Sequence, residues 1–115
     1  MQLTKAFHSR PVQHQDDAER IILAGIYTQP SRLMEAMNLG LTPGHFRQMQ
    51  TRTIYAELAA QSHTAYARLK DRMRLLVRTI MRNWGGEIFQ EISDLGPFVS
   101  DGRFQEAVQV VMRGR

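Results

Sequence analysis

Three groups of side chains in this chain are of types that can do chemistry: the histidines His8, His14, His45 and His63, the carboxylates Asp16, Asp17 and Glu19, and a run of cations between residues 68 and 82. Histidines ligate zinc when two of them share a helix face, four residues apart, with a carboxylate at hand. No two of these four have that spacing and Glu19 has no histidine partner nearby, so a metal site is not expected. Paired carboxylates can divide general acid and base work. Asp16, Asp17 and Glu19, however, open a helix, where acids cap free amides and complement the positive end of the helix dipole. That structural role is the one expected of them.

Ser9, Ser31, Ser62, Ser93 and Ser100 lack the glycine pattern of a nucleophile elbow, and Ser31 and Ser100 read as helix caps. Cysteine is absent, which removes disulfides, thiolate nucleophiles and cysteine-based zinc sites together. Lys5 and Lys70 lie in no glycine-rich phosphate loop, so ATP hydrolysis is not expected either. The expectation is a protein without catalytic residues or cofactor.

The cations are more informative. Lys70, Arg74, Arg78 and Arg82 recur at steps of four, joined by Arg68 and Arg72, while Asp71 is the only acid between residues 64 and 83. On a helix this makes a cationic ridge that can meet phosphates or an acidic partner, or can simply be solvated. Thirteen of the fifteen basic residues are arginine, whose planar fork suits bidentate contact with carboxylate or phosphate. Trp84, just beyond the ridge, is either a lid on the core or an exposed anchor, and the core is the expected place. The seven methionines are expected to fill core gaps, although an adaptable binding face also uses them.

These residues need elements to hold them. At 115 residues, with 43% hydrophobic and 23% charged residues, the chain has the size and composition of one globular domain. Residues 1–14 lack periodicity and read as a surface leader. Ala18, Ile21, Ile22, Gly25 and Ile26 then mark a helix over about 15–27, in which Ala24 and Gly25 allow a second helix to come close. Pro30 and Ser31 open a helix over about 31–38 that carries Leu33, Met34 and Met37 and is closed by Gly40. Thr42 and Pro43 start a turn that turns Phe46 inward, and a helix over about 48–61 buries Met49, Ile54, Leu58 and Ala59. After the polar stretch 61–64, Tyr66, Leu69, Met73, Leu76 and Ile80 line a helix over 64–83 that ends at Gly85 and Gly86. Ile88, Phe89, Ile92 and Leu95 form a short helix stopped by Gly96 and Pro97. Phe104, Ala107, Val108, Val111 and Met112 form the last, over 100–113. The reading is an all-α fold, a compact orthogonal bundle of five or six short helices. No segment is long and apolar enough for a signal peptide or membrane span, and a soluble cytoplasmic protein is expected.

The order of these features resembles the N-terminal domain of DnaB-type replicative helicases. Asp17-Ala18-Glu19, followed by Ile22-Leu23-Ala24-Gly25-Ile26, is similar to the opening helix of that domain. Leu41-Thr42-Pro43-Gly44-His45-Phe46 resembles its leucine, proline, acid and phenylalanine segment, with His45 in place of the acid. Arg52, Ile54 and Tyr55 resemble the helix that follows, with Thr51 and Thr53 where the family has histidines. Gly85-Gly86 and the apolar helix after them resemble the family's late paired glycines. The likeness runs over about residues 11–113. It departs at 62–83, where the family has a glycine-proline-aspartate turn and a shorter helix.

What the resemblance implies is a non-catalytic collar domain that docks primase, helicase loader or neighbouring helicase subunits. It would lack the ATPase motor, and also the dimerising helical hairpin, which in the family is getting under way where this sequence stops. A free-standing adaptor or competitor fits the same reading. The helicase-binding domain of a primase is a rival with the same implied fold. A helical DNA-binding protein using residues 68–82 is another, and a homo-oligomer stays open.

Overall fold

The computed structural model describes residues 14–68 and 70–114, with side chains outside 62–74. The expected leader therefore lies outside the described residues except for His14, which is exposed. Among the described residues there are six α-helices and two single 3-10 turns, with no strand. The all-α reading holds.

The first helix, α1 (Gln15–Thr28), is the axis of the bundle. Its sequence reads as one apolar face, yet Ala18, Glu19 and every residue from Ile21 to Ile26 are buried. The difference has a simple cause: α1 packs against each of the other five helices, so several of its sides are covered at once. A turn through Gln29 and Pro30 leads to α2 (Arg32–Asn38), whose entry is held by backbone bonds from Arg32 and Leu33 to the carbonyls of Gln29 and Pro30. Ser31 makes no capping bond with its side chain, contrary to expectation. Gly40 does close the helix. Its φ of 98° is one that L side chains rarely adopt, and it lets the Leu41 and Gly40 amides reach back to the Ala36 and Met37 carbonyls.

Pro43 begins the 3-10 turn Pro43–His45, and Phe46 follows it into the core. Helix α3 (Met49–Arg68) is longer than the 48–61 expected, and α4 (Lys70–Gly85) starts later than residue 64. Ser62, His63 and Thr64 are polar but include neither glycine nor proline, so nothing in them forces a helix to stop. The two helices run antiparallel: the side chain of Gln50, at the start of α3, bonds the carbonyls of Trp84 and Gly85 at the end of α4. Among the described side chains of α4, Val77, Ile80 and Met81 are buried, with Leu76 partly covered. The stripe expected through Leu76 and Ile80 thus widens to Val77 and Met81, because α4 packs against α1 and α5 as well as α3. The side chains of Tyr66, Leu69 and Met73 lie outside the described set.

Gly86, with φ 51°, turns the chain into α5 (Ile88–Leu95), which runs on into the 3-10 turn Gly96–Phe98. The last helix, α6 (Asp101–Arg113), is capped by the Ser100 hydroxyl, which accepts from the Arg103 amide at 3.2 Å. Its Phe104, Ala107, Val108 and Val111 are buried against α1. The close approach expected at Gly25 is here: a Cβ on that residue would sit 2.7 Å from Cδ1 of Phe104 and 3.2 Å from Cγ1 of Val99.

Candidate functional site

The acids of α1 do structural work, though not all in the way their position suggests. Glu19 is fully buried and caps a different helix. Its carboxylate accepts from the amides of Arg47 at 2.9 Å and Gln48 at 3.2 Å, from Gln15 Nε2 at 3.0 Å, and from the Thr51 hydroxyl. The carboxylate thus holds the two residues that lead into α3 and the hydroxyl in its first turn, and its charge complements the dipole of that helix. Asp16 is exposed and Asp17 half-buried. Both line an open polar depression of about 460 Å³ together with His14, Gln15, Arg20 and Arg47. Acids and cations are mixed there, and Arg20 is turned to Glu91 at 3.5 Å and to Gln48 Oε1 at 3.4 Å. Among the described residues no three acids or histidines are grouped so as to hold a metal.

The other residues that carry the family resemblance are tied into the same interior. Phe46 and Tyr55 stack with ring centroids 4.8 Å apart. Arg52 donates from Nε and Nη2 to the Phe46 carbonyl at 3.1 and 2.8 Å. The Tyr55 hydroxyl donates to the Leu41 carbonyl at 2.9 Å, and burial pushes this phenol far above its ordinary range. Ala18 and Ile54 are fully buried. Pro43 sits at the head of its 3-10 turn, where His45 Nδ1 accepts from the Thr42 amide at 3.0 Å.

The cationic ridge is the remaining candidate, and charge concentrates on it. Helix α4 holds five basic residues and one acid, whereas the rest of the chain holds ten of each, so this helix carries the whole formal net charge of +4. Arg78 and Arg82 are exposed. The Arg78 guanidinium lies 5.5 Å from the centroid of the Tyr27 ring, and Phe89 meets Tyr27 edge-on at 5.7 Å. Leu75, one turn earlier on the same outer face, is 66% exposed. Arg68, Lys70, Arg72 and Arg74 have side chains outside the described set. Their backbone corrects one point: Arg68 ends α3 and Lys70 begins α4, so Arg68 does not share a helix with the others.

Two expectations of burial fail. Trp84 is 51% exposed. It follows Val77, Ile80 and Met81 on the inner side of α4 but lies a turn beyond them, at the helix end, where Gln50 engages its carbonyl and not its ring. Met49 is 75% exposed, because it is the first residue of α3 and that helix turns inward only with Thr51, Ile54 and Tyr55. Ala59 is only partly buried.

One functional-looking group had no signal in the sequence. Arg32 is nearly buried, and it donates to Asp101 Oδ1 from Nη2 at 2.8 Å and from Nε at 3.2 Å. It also reaches the Gly25 carbonyl at 3.3 Å, with its guanidinium 5.7 Å from the Phe104 centroid. Sixty-nine positions separate Arg32 from Asp101, and no local pattern joins them. Among the described residues no helix is long and apolar enough to cross a membrane. Comparison with protein-family models, with curated proteins and with solved structures finds no match to this chain.

Proposed function

We propose that this chain is a non-catalytic protein-interaction domain of DNA replication, similar to the N-terminal domain of DnaB-type helicases, acting in the cytoplasm by docking a replicative helicase, a primase or a loader. The observation that carries the reading is the division of labour between inside and outside. Glu19, Gly25, Phe46, Arg52 and Tyr55, on which the resemblance rests, are all engaged in holding α1, α3 and α6 together. The outer face of α4, where this sequence departs from the family, is left to meet a partner.

A nuclease-treated pull-down of the tagged chain from its source cells, with captured proteins identified by mass spectrometry, tests the proposal. Enrichment of helicase, primase or loader is the expected result; recovery of none of them would remove the replication role. A helical DNA-binding protein is the second reading, favoured by the exposure of Arg78 and Arg82. It requires an affinity for DNA that falls steeply with salt, with a slope flattened by replacing Arg74 and Arg78.

A further inference from the structure

We propose that the outer face of α4, formed by Leu75, Arg78, Thr79 and Arg82, docks an acidic amphipathic helix of a protein partner. The inference rests on the protein-interaction reading above and names the chemistry of what is bound.

Leu75, Arg78, Thr79 and Arg82 stand at positions i, i+3, i+4 and i+7, the spacing that places residues on one side of a helix. All four are exposed. Leu75 offers an aliphatic contact at one end, and Arg78 and Arg82, four residues apart, are spaced about 6 Å along the axis by the helical rise. Carboxylates three or four residues apart on a second helix match that interval, and bidentate pairing with arginine suits them. Neither Arg78 nor Arg82 is paired with a carboxylate among the described residues. Arg78 is already oriented by the Tyr27 ring, so less side-chain freedom is lost when a carboxylate arrives.

Charge decides the sign of the partner, because the whole net charge of the chain sits on this helix. Leu75 decides its class. An aliphatic side chain two-thirds exposed neither neutralises a phosphate nor stacks a base. Among the described residues, the ring beside Arg78 is Tyr27, which has its face under the guanidinium and an edge contact with Phe89, and Trp84 lies on the opposite side of α4. An apolar contact beside two cations is instead the complement of an amphipathic helix with leucines on one stripe and acids beside it.

The test is fluorescence anisotropy on the full chain with three labelled probes. The first is a synthetic helix of about 18 residues, or five turns, with a leucine stripe flanked by glutamates. The second is the same helix with glutamines for glutamates, and the third an oligothymidine of about 20 nucleotides. The glutamate helix is expected to bind about tenfold or more tighter than the glutamine helix. Leu75→Ser and the double change Arg78→Glu, Arg82→Glu are each expected to weaken it about tenfold, with unchanged far-ultraviolet circular dichroism to show that the fold is kept. Binding of the oligothymidine in place of the peptide would overturn the proposal, as would peptide binding that Leu75→Ser leaves untouched. The pull-down separates this outcome from the broader one. A replisome protein captured equally by wild type and by the arginine variant keeps the domain's role and refutes this surface. Capture of no replisome protein, with the peptide still bound as expected, refutes the role and keeps the surface.

Discussion

Removing the fully buried Glu19 carboxylate leaves the Arg47 and Gln48 amides without an acceptor and the Thr51 hydroxyl with only the Gln48 carbonyl, at 3.2 Å. Glu19→Ala is therefore expected to cost about 3 kcal/mol in urea unfolding, whereas Thr51→Val, which removes a single donor, costs about 1 kcal/mol. Equal losses would show that the network does not centre on Glu19. Tyr55 makes a prediction in pH. Its phenol is held neutral by burial and its folded-state ionisation lies above the unfolded one, so its contribution to stability is complete below the ordinary tyrosine value and is lost as pH rises past about 10. Unfolding measured between neutral and alkaline pH should show this decline, and Tyr55→Phe should lose about 1 kcal/mol at neutral pH through the abandoned Leu41 carbonyl while flattening the alkaline fall. At this scale the sequence was only partly legible. Glu19 stands close to a helix start, which points to capping, but the amides it accepts from lie 28 and 29 positions further on, just ahead of another helix. Trp84 misled for a related reason: spacing places it on the inner stripe, and spacing does not say where the covering helix ends.

Elements were read best where a local signal governs them. Gly40, Pro43, Gly86 and Ser100 each act through their own backbone or a residue three positions away, and each stands where a boundary was expected. The α3 to α4 boundary was misplaced because Ser62, His63 and Thr64 are indifferent to helix, and only the packing of α4 against its neighbours fixes where the chain turns. The contact between α1 and α6 gives a test at this level. Alanine favours helix over glycine by about 1 kcal/mol, so Gly25→Ala would stabilise an isolated α1. In the bundle its Cβ meets Phe104, and a net loss of about 1–2 kcal/mol is expected from the overlap. Adding Phe104→Leu should restore part of the loss, giving non-additive free energies in a double-mutant cycle. A stabilised Gly25→Ala protein would mean that α6 yields at no cost. The Arg32 and Asp101 pair should respond unequally. Arg32 is nearly buried while the Asp101 side chain is 72% exposed, so water can replace the aspartate oxygen but not the guanidinium; Arg32→Ala is expected to destabilise more than Asp101→Asn.

For the molecule as a whole, a radius of gyration of 13.2 Å is close to the roughly 13 Å expected of a single compact domain of this length. One cooperative unfolding transition should follow. Charge acts at this scale too. With five cations and one acid on α4, added salt should relieve more repulsion than it weakens attraction, so raising sodium chloride at neutral pH is expected to lift the unfolding midpoint by a few degrees, or about 1 kcal/mol. A falling midpoint would show that ion pairs such as Arg20 with Glu91 and Arg32 with Asp101 outweigh the ridge. The central place of α1 also has a bearing on how the protein comes into being. Its isoleucines and leucine are sealed by α6, made more than seventy residues later. At ribosomal speeds of about 5–20 residues per second, that strip waits roughly 4–15 s for its cover. During synthesis the nascent chain therefore displays a greasy helix to its surroundings, a natural foothold for a chaperone and the interval in which aggregation competes with folding.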